Sequence, residues 1–209
     1  MKLQEKLGLL LVAAIALFAG QYFYQLNQQK QYSETTLVYQ QPREIASFKL
    51  YDQNEQLVDN QAIAGKWNLV FLGYLSCPDI CPMTMSKLSR ILPELNESSQ
   101  IPVQVLFVSV DPKRDTADKR KQYVEYFNPA ILGLGAEHKD LFPFVRNLGL
   151  MYSVPDIDAK DYFVDHSASV LLIDPNGNAV AIFKPEIKAN QVPTINPDVI
   201  AEDFKTLIK

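Results

Sequence analysis

Trp67-Asn68-Leu69-Val70-Phe71-Leu72-Gly73-Tyr74 leads directly into Leu75-Ser76-Cys77-Pro78-Asp79-Ile80-Cys81-Pro82. The first eight residues are apolar and aromatic almost throughout, and Gly65-Lys66 stands before them. That pattern fits a strand buried on both faces, as in the middle of a sheet flanked by helices. Beyond Pro82 the period changes. Met85, Leu88, Leu92 and Leu95 recur at helical spacing, with Ser89 among them, so a helix of three to four turns is expected. Pro82 suits its first turn, where a missing N–H costs nothing. The strand therefore hands over to a helix at the two cysteines.

The same alternation continues on both sides. Val103 to Val110 reads as a second apolar strand ending at Asp111-Pro112, and Asp115 or Thr116 can cap a helix reaching about Phe127. Leu132–Leu134 reads as a short strand, and Lys139 to Leu148 as a helix. Val170–Asp174 and Ala179–Phe183 flank Pro175-Asn176-Gly177-Asn178, an Asn-Gly turn that predicts a hairpin. Pro197 to Leu207 closes as a helix. Upstream, Phe48–Tyr51 and Gln56–Val58 form a second short hairpin. Strand, helix, strand, helix, hairpin and helix describe an α/β sandwich with a mixed sheet.

Cys77 and Cys81 are the chain's only cysteines. A disulfide over three intervening residues would close a tiny loop and remove little unfolded-chain entropy, so a purely structural bridge is disfavoured. Their place at a helix start favours thiolate character, because exposed N–H groups and the helix dipole stabilise negative charge there. The spacing puts the sulfurs about one helical turn apart, on the same face. Soft-metal binding and reversible disulfide chemistry both remain open. Two thiolates do not complete a four-coordinate zinc site, so a metal needs a further ligand.

The only histidines are His138 and His166. His138 lies in the charged stretch Ala136-Glu137-His138-Lys139-Asp140 and is expected to face solvent. His166 directly precedes the hairpin strand. If that strand runs antiparallel to Val70–Tyr74, it begins at the sheet edge where Val70–Tyr74 ends, and His166 faces Cys77 and Cys81. Asp165 could orient the imidazole or simply begin a strand. Met83 and Met85 are soft donors, but helical methionine is more often core filler, and both are left outside the site.

At the N-terminus, Leu7 to Tyr24 is an apolar run of 18 residues in which Gln21 is the only strongly polar side chain, with Lys2 and Lys6 in front. At ~1.5 Å per residue this makes about 27 Å of helix, enough for a thin or average bilayer. Residues 1–24 are expected to be a membrane anchor with a cytoplasmic N-terminus, a cleaved signal segment being the competing reading. Either one places the main domain outside the cytoplasm. Residues 25–44, polar and Gln-rich, read as a linker, leaving 45–209 as the folded domain. The net charge is −4 and no long basic run occurs, which argues against nucleic acid as the main partner.

Phe71-Leu72-Gly73-Tyr74-Leu75-Ser76-Cys77-Pro78-Asp79-Ile80-Cys81-Pro82 resembles the copper motif of the Sco/SenC family. Val110-Asp111-Pro112-Lys113-Arg114-Asp115-Thr116 resembles a second family block. Asp165-His166-Ser167 followed by Leu172-Ile173-Asp174-Pro175-Asn176-Gly177 resembles a third. The blocks run in family order from about residue 45 to 208. Ser76 departs from relatives, which commonly carry a histidine before the first cysteine, and removes no expected ligand. The resemblance implies a thioredoxin-like fold with an inserted β-hairpin. It also implies one copper ion, Cu(I) or Cu(II), bound by Cys77, Cys81 and His166. The implied role is that of a copper chaperone for the copper A centre of cytochrome c oxidase, with the oxidase's copper-bearing subunit as partner. A membrane-anchored thiol–disulfide oxidoreductase using Cys77 and Cys81 is the alternative. A peroxidase of this general fold would carry Thr where Tyr74 stands, and covalent haem attachment would need Cys-x-x-Cys-His.

Overall fold

The computed structural model describes residues 3–27, 31–153 and 162–209. In chain order its elements are α1 (Leu3–Asn27), β1 (Thr36–Glu44), β2 (Leu50–Tyr51), β3 (Leu57–Val58), α2 (Asn60–Ile63), β4 (Trp67–Gly73), α3 (Ile80–Ser98) and β5 (Val103–Ser109). They continue with α4 (Ala117–Phe127), β6 (Leu132–Leu134), α5 (His138–Asn147), β7 (Tyr152–Ser153), β8 (Asp165–His166), β9 (Val170–Ile173), β10 (Asn178–Phe183) and α6 (Pro197–Leu207). The described residues fall into two compact units, one within Met1–Gln31 and the other within Tyr32–Lys209. The N-terminal run is helical over Leu3–Asn27. Among the described residues no helix is long and apolar enough to cross a membrane.

The larger unit is built on a six-stranded mixed sheet of order β1-β10-β9-β4-β5-β6. Strands β4, β5 and β6 are parallel, as strands joined through helical crossovers must be. Strand β9 lies antiparallel to β4, pairing Asn68 with Ile173 and Phe71 with Val170. All four residues of β9 and six of the seven in β4 are buried, so these strands are covered on both faces. Leu69, Phe71 and Leu72 of β4 and Phe107 of β5 are fully buried. Each contributes roughly 1.5–3 kcal/mol by leaving water. Helix α3 packs on β5 and α6, and Trp67 meets Phe204 edge to face at 5.5 Å. Asp174 makes the expected β9–β10 turn by accepting from the N–H groups of Asn176 and Asn178. Gly177 takes φ +83° in it.

One expectation is corrected. Residues 36–44, read as the end of a linker, form the edge strand β1, antiparallel to β10 from Thr36↔Phe183 to Glu44↔Asn178. The folded unit therefore begins well before residue 45. An edge strand has one neighbour and stays largely exposed, so it carries no apolar alternation. The register shifts between Val38 and Arg43, around Pro42, which has no N–H for a ladder. Of the two candidates for capping α4, Asp115 is not the one used. Thr116 holds the N-cap position, without a side-chain bond. The Asp115 carboxylate turns inward instead, accepting from Ser109 Oγ at 2.7 Å and from the Leu75 N–H at 3.0 Å.

A candidate metal centre at the end of β4

Strand β4 ends at Gly73, and the chain turns through Tyr74–Asp79 before α3 starts at Ile80. This turn is tied down at three points. The Val110 N–H donates to Gly73 O, the Asp115 carboxylate receives the Leu75 N–H, and the Cys77 N–H donates to Tyr74 O. Gly73 itself is required by a close approach. A Cβ on it would lie 2.9 Å from Cys81 Sγ and 2.6 Å from the Phe107 ring. The missing side chain is what lets the Cys81 sulfur sit against the strand.

Cys81 falls in the first turn of α3, where backbone N–H groups lack intrahelical partners. Its N–H points at Cys77 Sγ, 3.4 Å away. Cys81 is buried, Cys77 is half-buried, and both are free thiols. The pair holds its protons unequally. Cys77 is lowered to about 3, chiefly by the hydrogen bond from the Cys81 thiol, with the Cys81 and Asp79 backbone N–H groups adding to it against burial. Cys81 is pushed far up, first by that same bond and then by burial. The structure thus holds a Cys77 thiolate beside a Cys81 thiol.

His166 enters from β8, and the β9–β4 antiparallel pairing brings it over the cysteines as anticipated. Its Nε2 lies 3.4 Å from Cys81 Sγ. Its Nδ1 lies 3.2 Å from the Ser167 carbonyl oxygen, which can only accept. That contact assigns the proton to Nδ1 and leaves the Nε2 lone pair facing the sulfurs. The rings of Phe71 and Tyr74 stand edge-on to the imidazole at 6.0 and 5.9 Å. Sulfur, sulfur and nitrogen all lie within 4.8 Å of one another, the one such cluster of metal-capable donors found among the described residues. Two thiolates and an imidazole are soft and intermediate donors, a set suited to copper.

The other residues considered fall elsewhere. His138, expected in solvent, is half-buried. Its Nδ1 lies 2.9 Å from the Tyr152 hydroxyl and its ring stacks on Tyr152, because β7 folds against the start of α5. Asp165 is exposed and pairs through the backbone with Ser153, so it does not orient the imidazole. Met85 is fully buried core, and Met83 is exposed. Sequence reasoning gave Tyr74 no role at the site. Burial and the neighbouring Cys77 push its hydroxyl up to about 12, and that hydroxyl accepts a hydrogen bond from the backbone of Val164.

The family model described as SCO1/SenC matches residues 38–199. A SCO2-like protein of Rickettsia typhi is 35% identical over 149 residues, covering 70% of this chain and 72% of that one. Yeast Sco1, solved with copper bound, superposes with a TM-score of 0.66 at 31% identity, over 78% of this chain and 90% of that one. Arabidopsis thaliana ScoI, also solved with copper bound, superposes with a TM-score of 0.66 at 29% identity, over 78% and 96%.

Proposed function

Because this chain belongs to the SCO1/SenC family, we propose that it is a copper carrier for assembly of the copper A centre of cytochrome c oxidase. Cys77, Cys81 and His166 are the residues that hold the ion. The observation that carries this reading is the convergence of three donor atoms within 4.8 Å, with the His166 proton assigned to the nitrogen facing away. Copper is cargo here. Cys77 is ready as a thiolate, Cys81 gives up its proton as the ion arrives, and His166 supplies a neutral nitrogen without losing one. Cys77, the less buried of the two cysteines, marks the side from which a recipient, the oxidase's copper-bearing subunit, can approach.

A second reading, a thiol–disulfide reductase, is favoured by the depressed Cys77 thiol. Its thiolate would attack a partner disulfide, releasing one partner thiolate and forming a mixed disulfide. Cys81, deprotonated, would then attack Cys77 Sγ, releasing the second partner thiol and leaving a Cys77–Cys81 disulfide, two electrons having passed to the partner. Such chemistry has no use for His166. The discriminating experiment is oxidase activity at limiting copper in cells carrying His166→Ala, with Cys77→Ser as the inactive control. A carrier loses assembly in the histidine variant, whereas full activity there defeats the carrier reading.

Residues 1–24 are the membrane anchor in this reading, and the domain lies on the extracytoplasmic face. Lys2 and Lys6 before an apolar run of 18 residues support that orientation. The full-length protein should stay with membranes through a carbonate wash. Release of a shortened soluble form would point to a cleaved signal.

A further inference from the structure

Strand β8 is too small to hold its histidine unaided. It consists of Asp165 and His166 and pairs with a β7 of equal length, Tyr152↔His166 and Ser153↔Asp165. A two-stranded ribbon of this size is not stable by itself in water. The three residues before it alternate: Tyr162 and Val164 are buried and Phe163 is 70% exposed. Both buried residues are fastened to the strand ends from which the cysteine turn departs.

The anchor is the segment after β5. Asp111 is buried, and its two carboxylate oxygens are divided between two partners. Oδ1 accepts from the Tyr162 hydroxyl at 2.6 Å and from the Arg114 backbone N–H at 3.4 Å. Oδ2 accepts from Arg114 Nε in a short ion pair. The Arg114 guanidinium then lies over the Tyr162 ring, 3.6 Å from its centroid, so arginine and carboxylate grip the tyrosine at its face and at its hydroxyl. The same guanidinium stands 5.6 Å from the Tyr74 ring. Tyr74 receives the Val164 N–H on its hydroxyl and sets its ring edge against His166. Val110, next to Asp111, is bonded to Gly73. One connected set of contacts thus joins the His166 segment to the frame that carries Cys77.

We propose that Asp111, Arg114 and Tyr162 form a clamp that positions His166 for copper, fixing the distance of its Nε2 from the two sulfurs. This assigns a task to the Asp111-Pro112-Lys113-Arg114 motif, which supplies no donor atom to the site. The inference rests on the copper-carrier reading. Arg114 and Tyr162 are positioning residues, acting only through the histidine. Lysine in place of Arg114 keeps the charge but loses the planar stack on Tyr162 and the Nε–H that donates to Asp111. Phenylalanine in place of Tyr162 keeps the stack and loses one hydrogen bond.

The test is copper competition titration of the reduced full-length protein in detergent. It is joined to the electron paramagnetic resonance spectrum of the Cu(II) form, which reports nitrogen ligation directly. Tyr162→Phe is expected to weaken copper roughly threefold to tenfold and Arg114→Lys about tenfold or more, where tenfold corresponds to ~1.4 kcal/mol. Both spectra should move toward that of His166→Ala. Placed in the His166→Ala background, either substitution should change affinity by less than about twofold, since what the clamp positions is gone. The clamp is refuted if both variants bind copper and give spectra as the wild type does. It is equally refuted if they cost as much without His166 as with it, because that would be a general structural effect. Failure of the carrier reading is a separate outcome, seen as wild-type affinity in His166→Ala alone, and it removes the clamp's purpose as well.

Discussion

Replacing Gly73 by alanine probes the link between the core and the metal centre with a single methyl group. The added Cβ would lie 2.6 Å from Phe107 Cε2 and 2.9 Å from Cys81 Sγ, both closer than such carbons approach other atoms. Phe107 is fully buried, with Phe71 at 6.4 Å and Tyr123 at 5.2 Å between ring centroids, so it has no free volume to swing into. The Cys81 sulfur is the easier group to displace, but only along with the first turn of α3. Overpacking of this kind costs typically ~1–3 kcal/mol. At about 2–4 °C per kcal/mol for a domain of this size, the middle of that range lowers the melting temperature by roughly 4–8 °C. A shift of a few tenths of an ångström at Cys81 also misplaces one donor, so copper affinity should fall together with stability. Gly65→Ala is the control. Gly65 has φ +74° with open space around its Cβ position, so alanine there is strained but touches nothing at the site. Thermal melts of the reduced protein and a copper competition titration read the two effects. The reasoning fails if Gly73→Ala melts and binds copper as the wild type does, or if Gly65→Ala weakens copper as much as Gly73→Ala.

Further outcomes follow from the thiol pair and the second histidine. With Cys77 lowered to about 3 and Cys81 raised, the folded protein should take up one iodoacetamide, on Cys77, at about pH 5, where an ordinary thiol is ionised in only about one molecule in three thousand. Because the folded value lies below the unfolded one, ionisation of Cys77 favours folding most fully above about pH 9. That contribution declines as pH falls toward about 3, and the labelling should disappear over the same acid limb. Two labels, or none, at about pH 5 would contradict the assignment. His138→Ala should leave copper affinity unchanged and cost ~1 kcal/mol of stability, since it removes the contact at 2.9 Å with the Tyr152 hydroxyl. A loss of copper affinity equal to that of His166→Ala would overturn the placement of both histidines.

Local sequence determined much of this protein because the decisive features are short-range. The apolar run from Trp67 to Tyr74 was readable as a buried strand, since two covered faces leave no polar alternation. The cysteine spacing at a helix start announced thiolate chemistry, since the orphan N–H groups of a helix are a local property. Asn176-Gly177 announced its hairpin through the positive φ that glycine accepts. His166 could be brought to the cysteines by one topological step, the antiparallel pairing of β9 with β4. What escaped was decided by partners far away in the chain. Thr36–Glu44 looked like a linker because an edge strand needs only β10 beside it. Asp115 and Thr116 were equal candidates for the helix cap, and Thr116 takes it because the Asp115 carboxylate is claimed by Leu75 and Ser109. His138 looked exposed until β7 brought Tyr152 against it. The grip of Asp111 and Arg114 on Tyr162 joins residues about fifty apart, and no periodicity records such a contact. Hydrogen bonds and ring contacts between distant segments depend on where the folded backbone delivers them, and only the tertiary structure holds that information.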